Sequence, residues 1–82
     1  MRKVIYLRDA RKALRRHRAD AGRLIEKIAA YAADPRPQAN NVKRLKASQV
    51  LRLRVGGFRI VFTEDEDSVQ VIDIGPRGSI YE

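Results

Sequence analysis

Two runs of period-two alternation meet at Gly56-Gly57, and that junction constrains the fold more than any other feature of the sequence. Leu51, Leu53 and Val55 alternate with Val50, Arg52 and Arg54 before the glycines, and Phe58, Ile60 and Phe62 alternate with Arg59, Val61 and Thr63 after them. Strict alternation marks a strand with one buried face, and two glycines supply the positive φ that a two-residue hairpin loop demands. With this loop, Val55 pairs with Phe58, Arg54 with Arg59, Leu53 with Ile60, and Arg52 with Val61. Opposite residues of an antiparallel pair share a face. Leu51, Leu53, Val55, Phe58, Ile60 and Phe62 therefore make one apolar face, while Arg52, Arg54 and Arg59 gather on the other. A one-residue slip would scatter both sets, so the hydrophobic pattern pins the register.

Like charges directly opposite on a sheet are unfavourable. Two arginines paired across a hairpin, with a third two residues away, are therefore hard to explain as stability choices. An anion held between them removes the conflict. The bland reading is three side chains splayed into solvent.

The remaining segments must cover the apolar face. Residues 3–7 read as a short strand. Asp9 is a plausible N-cap for a helix in which Ala10, Ala13, Leu14 and His17 share one face. Asp20 is placed to cap a second helix with a stripe of Leu24, Ile25, Ile28, Ala29 and Ala32, flanked by Tyr31 and stopped by Asp34-Pro35. Residues 34–41 have loop chemistry, and Val42 to Lys46 form a basic bridge. Val69 to Ile74 read as a third strand of the sheet, whose unbroken apolar character predicts cover on both faces. The expectation is an α+β fold of order βααβββ, an antiparallel sheet with an N-terminal helical hairpin on one face. The chain, residues 1–82, is read as a single domain.

Composition removes whole classes of function. With no cysteine, disulfides, thiolate metal sites and a cysteine nucleophile are excluded. The single histidine, His17, rules out a multi-histidine metal site and is expected to pack or to compensate a helix C-terminus. Apolar runs are too short for a membrane span or a signal-peptide core, so a cytoplasmic protein is expected. The net charge is +8, from 18 Lys and Arg against 10 Asp and Glu. Residues 1–54 hold 16 of the cations and four of the acids, and 13 of the cations are arginine. Arginine's planar fork suits bidentate phosphate contacts. That balance favours a polyanion or an acidic protein as partner.

The runs LKASQVLRLRVGGFRIVF and VQVIDIGPRGSIY resemble the RelE group of bacterial type II toxins, within the RelE/ParE superfamily. The resemblance extends back through KRLK, the Asp-Pro helix end and KALRRH, and so covers essentially the whole chain. Its most specific pieces are the basic strand, the turn exit Gly57-Phe58-Arg59, and Gly75, Arg77 and Tyr81 near the end. The family's fold is a small sheet with two N-terminal helices packed on one face.

The resemblance implies a ribosome-dependent endoribonuclease that cuts messenger RNA in the ribosomal A site. The 2′-hydroxyl attacks the adjacent phosphate, which calls for a base, cations around the phosphorane and an acid for the 5′-oxygen. No metal or cofactor is expected. By resemblance, the catalytic set is Arg52, Arg54, Arg59, Arg77 and Tyr81, and Lys43, Arg44 and Lys46 join Arg52 and Arg54 in binding nucleic acid. Arg52 and Arg54 stand where a well-studied relative has lysines. Arginine keeps its proton, so these two serve as cations. Pro76 replaces the His or Lys of many relatives, and Tyr81 remains the titratable candidate. The implied partners are a cognate antitoxin, the ribosome with its message, and operator DNA reached through the antitoxin complex. Alternatives from other classes are a ParE-like toxin that targets gyrase, and an inert module that binds antitoxin as a co-repressor.

Overall fold

The structure is a computed structural model that describes residues 2–45 and 49–76. Its elements are β1 (Lys3–Tyr6), α1 (Arg8–Arg16), α2 (Arg18–Ala33), a 3₁₀ helix (Arg36–Asn41), β2 (Val42–Arg44), β3 (Leu51–Val55), β4 (Phe58–Glu64) and β5 (Ser68–Pro76). The strands form one sheet in the order β1-β5-β4-β3-β2. β2 to β5 are antiparallel to their neighbours, whereas β1 pairs parallel with β5. The sheet is therefore mixed, and not wholly antiparallel as expected. Its helical hairpin does cover one face.

The expected hairpin register holds at all four predicted pairs, from Val55–Phe58 to Arg52–Val61, and continues to Leu51–Phe62. Gly56 carries the one positive φ among the described glycines, +57°. That fits a type II′ turn, which asks positive φ only of its first central residue. All six predicted apolar-face residues are buried, packed with Ala10, Ala13, Leu24, Ile28, Tyr31 and Ala32 from the helices.

Five local expectations need correction. Asp9 is not the cap of α1: Leu7 is, with no side-chain cap bond. The Leu7 N–H is tied to the Val71 carbonyl at 2.9 Å, so the sheet runs straight into the helix and starts it earlier. Likewise α2 begins at Arg18 behind His17, and Asp20 sits inside the first turn, where it meets Arg23 at 3.2 Å. Residues 34–41, expected as loop, contain the 3₁₀ helix, and the basic bridge becomes strand β2, too short to show a period. The α2 stripe is rotated towards Tyr31, which is buried, while Ile25 is 43% exposed. Tyr31 turns inward because its hydroxyl finds Glu64 and its ring packs edge-on against Phe62, with centroids 5.1 Å apart.

β5 also differs from expectation. Val61 pairs with Asp73 but Phe62 pairs with Val71, so Ile72 is an extra residue in a bulge. The bulge switches parity: Val69 and Val71 face the core before it and Ile74 after it. The unbroken apolar run thus records a change of face, not cover on both sides.

Candidate nucleic-acid interface

The helices lie on the apolar face of the sheet, so the opposite face is where β2, β3 and β4 present their cations. The cross-strand row Lys43–Arg52–Val61–Asp73 runs over β2, β3, β4 and β5, and beside it runs Arg54–Arg59–Gly75. Adjacent strands lie about 4.8 Å apart. Lys43, Arg52, Arg54 and Arg59 consequently occupy one patch at the hairpin end of the sheet. In a two-residue hairpin the residues flanking the loop exchange hydrogen bonds, which puts Arg54 and Arg59 at the next, non-hydrogen-bonded pair. There the Cα atoms approach to about 4.5 Å and the side chains are closest.

The structure brings together four of the sequence-predicted residues and separates one. Arg44 pairs with Leu51, so it projects from the other side of the edge strand. Lys46, Arg77 and Tyr81 lie outside the described residues. Of two further features of this face, the first carried no sequence signal and the second follows from the predicted Arg52–Val61 pair. Asp73 joins the arginine rows only because the bulge resets its parity, and its carboxylate accepts the Ile74 N–H at 2.8 Å. Val61 lies among the cations yet is fully buried. The floor of the patch is therefore dry, which strengthens charge-assisted contacts made above it.

Among the described residues no cluster of His, Asp or Glu could hold a metal ion. His17 faces the core side, with its ring edge-on to Phe58 at 5.1 Å, in the packing role expected of it. A depression of about 860 Å³ lies at the far end of the sheet between Arg2, Lys3, Glu66 and Asp67. It mixes both signs of charge and is remote from the arginines. Near it, Arg2 binds Glu64 and donates to the Tyr31 and Ala32 carbonyls, which closes the C-terminus of α2. Burial and the neighbouring Glu64 push the Tyr31 hydroxyl up to about 12. That end of the molecule is built for cohesion.

A small α+β domain with a helical hairpin on one face and a cationic sheet on the other defines the class. A family model described as ParE toxin of type II toxin-antitoxin system, parDE matches residues 4–81. The chain belongs to this family and is a type II toxin of the RelE/ParE superfamily. Solved structures agree on the fold. The archaeal RelE–RelB complex from Pyrococcus horikoshii contains a chain with a TM-score of 0.76 at 21% identity, covering 96% of this chain and 98% of that one. The toxin–antitoxin complex RelBE2 from Mycobacterium tuberculosis has a chain with a TM-score of 0.66 at 18% identity, covering 93% and 98%. Among curated proteins none matches the sequence. No helix among the described residues is long and apolar enough to cross a membrane.

Proposed function

We propose that this toxin is a ribosome-dependent endoribonuclease that cleaves messenger RNA and is neutralised by a cognate antitoxin. The observation that carries the reading is the Arg54–Arg59 cross-strand pair with Arg52 on the same face. Such a trio binds a phosphate at the cost of its own mutual repulsion, and a negatively charged phosphorane more strongly still. In the reaction the 2′-hydroxyl loses its proton as its oxygen bonds to phosphorus, the bond from phosphorus to the 5′-oxygen breaks, and the leaving 5′-oxygen takes up a proton that balances the one lost. Arg52, Arg54 and Arg59 hold the non-bridging oxygens, and Lys43 anchors the strand beside them. Arg77 and Tyr81 complete the set, Arg77 as a further cation and Tyr81 by stacking on or orienting the nucleotide. The fold likeness to toxin chains solved with their antitoxins supports an antitoxin partner, with operator DNA reached through that complex. The site of action is the cytoplasmic ribosome.

Cleavage of a defined message on programmed ribosomes tests the reading. The double substitution Arg59→Ala, Arg77→Ala is expected to lower the single-turnover rate at least about a hundredfold, corresponding to ~3 kcal/mol of transition-state stabilisation. Full activity in that variant removes the assignment. The family's description as ParE favours a second reading, a toxin that poisons gyrase. Gyrase-dependent DNA breaks with no message cleavage would establish it in place of the first.

A further inference from the structure

The hairpin end of the sheet outruns its neighbours on both sides. β2 pairs with β3 only as far as Val42–Leu53, so among the described residues no strand flanks Arg54 and Val55 on that side. β1 pairs with β5 only as far as Tyr6–Val71 and does not reach Asp73 or Ile74. Each edge is flanked by helix, and each flank holds a groove of about 340 Å³.

The two grooves differ in chemistry. Beside β5, Lys12 and Arg16 are offset by Asp9 and Asp73. The Ile74 N–H there is already taken by Asp73, and Pro76 has no N–H to offer. Beside β3, between α2 and the 3₁₀ helix, the polar lining is Lys27, Gln38, Asn41 and Arg54, with no carboxylate among the described lining residues. The Gln38 Nε2 donates to the Lys27 carbonyl at 3.1 Å and so fixes the 3₁₀ helix against α2. Lys27, Asn41 and Arg54 are themselves exposed. Arg54 is both the cross-strand partner of Arg59 and a lining residue of this groove, so the two sites adjoin.

We propose that this groove holds the nucleotide flanking the one bound at Arg54 and Arg59, as part of a single RNA strand. Lys27 pairs with its phosphate, and the Asn41 amide, both donor and acceptor, meets the sugar or the base edge. A volume of about 340 Å³ falls at the small end of ligand pockets, which start near 300 Å³. The groove adjoins the Arg54–Arg59 pair assigned to RNA, and that adjacency favours a flanking nucleotide over a separate acidic peptide. The strand then leaves the arginine face over β3, away from the acids Asp9 and Asp73.

This inference rests on the RNA reading above, and the experiment separates the two. The full chain is titrated with a labelled six-nucleotide RNA carrying 2′-methoxy groups, which block cleavage, over a range of salt concentrations. The double variant Lys27→Ala, Asn41→Ala is expected to bind about tenfold more weakly, and its salt slope to fall by about one. Arg59→Ala is expected to weaken binding independently. Unchanged affinity and slope in the double variant, with Arg59→Ala still impaired, overturns the groove and leaves the arginine face standing. Failure of the unsubstituted chain to bind overturns the groove, while message cleavage on programmed ribosomes decides the RNA reading separately. The substituted side chains are exposed, and an unaltered thermal transition confirms that the fold is intact.

Discussion

Arg54 on β3 and Arg59 on β4 are cross-strand partners at a non-hydrogen-bonded position, the closest juxtaposition an antiparallel sheet offers. The sheet holds them together because Leu53, Val55, Phe58 and Ile60, on the opposite face, are all buried. Core packing thereby sets two cationic side chains at facing positions. A phosphate bound as proposed would relieve the repulsion between them.

Relieving that repulsion should raise stability while removing function. Arg54→Thr replaces a cation with a good strand former, and a gain of about 0.5 kcal/mol at low salt is expected. The gain should vanish near 1 M salt, where the Debye length is about 3 Å. Urea unfolding at the two ionic strengths reads it. A loss of stability at low salt would mean that Arg54 is held by contacts stronger than the repulsion.

The two loop glycines should respond differently to alanine. Gly56 has a φ of +57°, so Gly56→Ala is expected to cost about 1–2 kcal/mol of backbone strain. The added Cβ itself meets only the tip of the Arg23 side chain, at 3.4 Å. Gly57 has open space around it and no positive φ, so Gly57→Ala should be neutral or slightly stabilising. Thermal unfolding of the pair separates a conformational requirement from a spatial one.

Tyr31 should govern the alkaline limit of stability. Its hydroxyl donates to the Glu64 carboxylate at 3.1 Å, and its pKa rises from 10.0 to about 12. A group whose folded pKa is raised contributes its stability in full below the unfolded value and loses it as pH climbs through the folded one. Tyr31→Phe should therefore cost about 1–2 kcal/mol at neutral pH, with the difference from the unsubstituted chain closing between pH 10 and 12. Asp65 works in the opposite sense. Backbone N–H groups of Asp67 and Ser68, each at 2.8 Å, hold its pKa below the usual carboxylate range. Its contribution is present above an unfolded value of about 3.9 and is lost as pH falls through the lowered folded value. Denaturant midpoints across pH check both signs.

Tyr81 offers a test that does not depend on the described residues. If its ring stacks on a base, Tyr81→Phe should keep most of the cleavage rate on programmed ribosomes, because stacking needs the ring and not the hydroxyl. A rate as low as that of Tyr81→Ala would assign it a proton-transfer role instead.

The hairpin, its register and the arginine trio were legible in the sequence because each rests on local rules. Period two, a glycine loop and one buried face permit a single pairing of residues 51–62, and everything on that pairing follows. The helical hairpin was legible for the same reason, although its caps were not, since Leu7 starts α1 through a bond to Val71, far along the chain. What the sequence could not show is whatever depends on non-local partners. The parallel pairing of β1 with β5 joins the two ends of the chain, and no local pattern encodes the neighbour of an edge strand. The bulge at Ile72 sets Asp73 among the arginines by a parity change that reads, in one dimension, as a uniformly apolar strand. The groove of Lys27, Asn41 and Arg54 is assembled from a helix, a 3₁₀ turn and a strand end. Local chemistry determined which side chains form the cationic face. Only the packing of distant segments decided where that face ends and what lies beyond its edge.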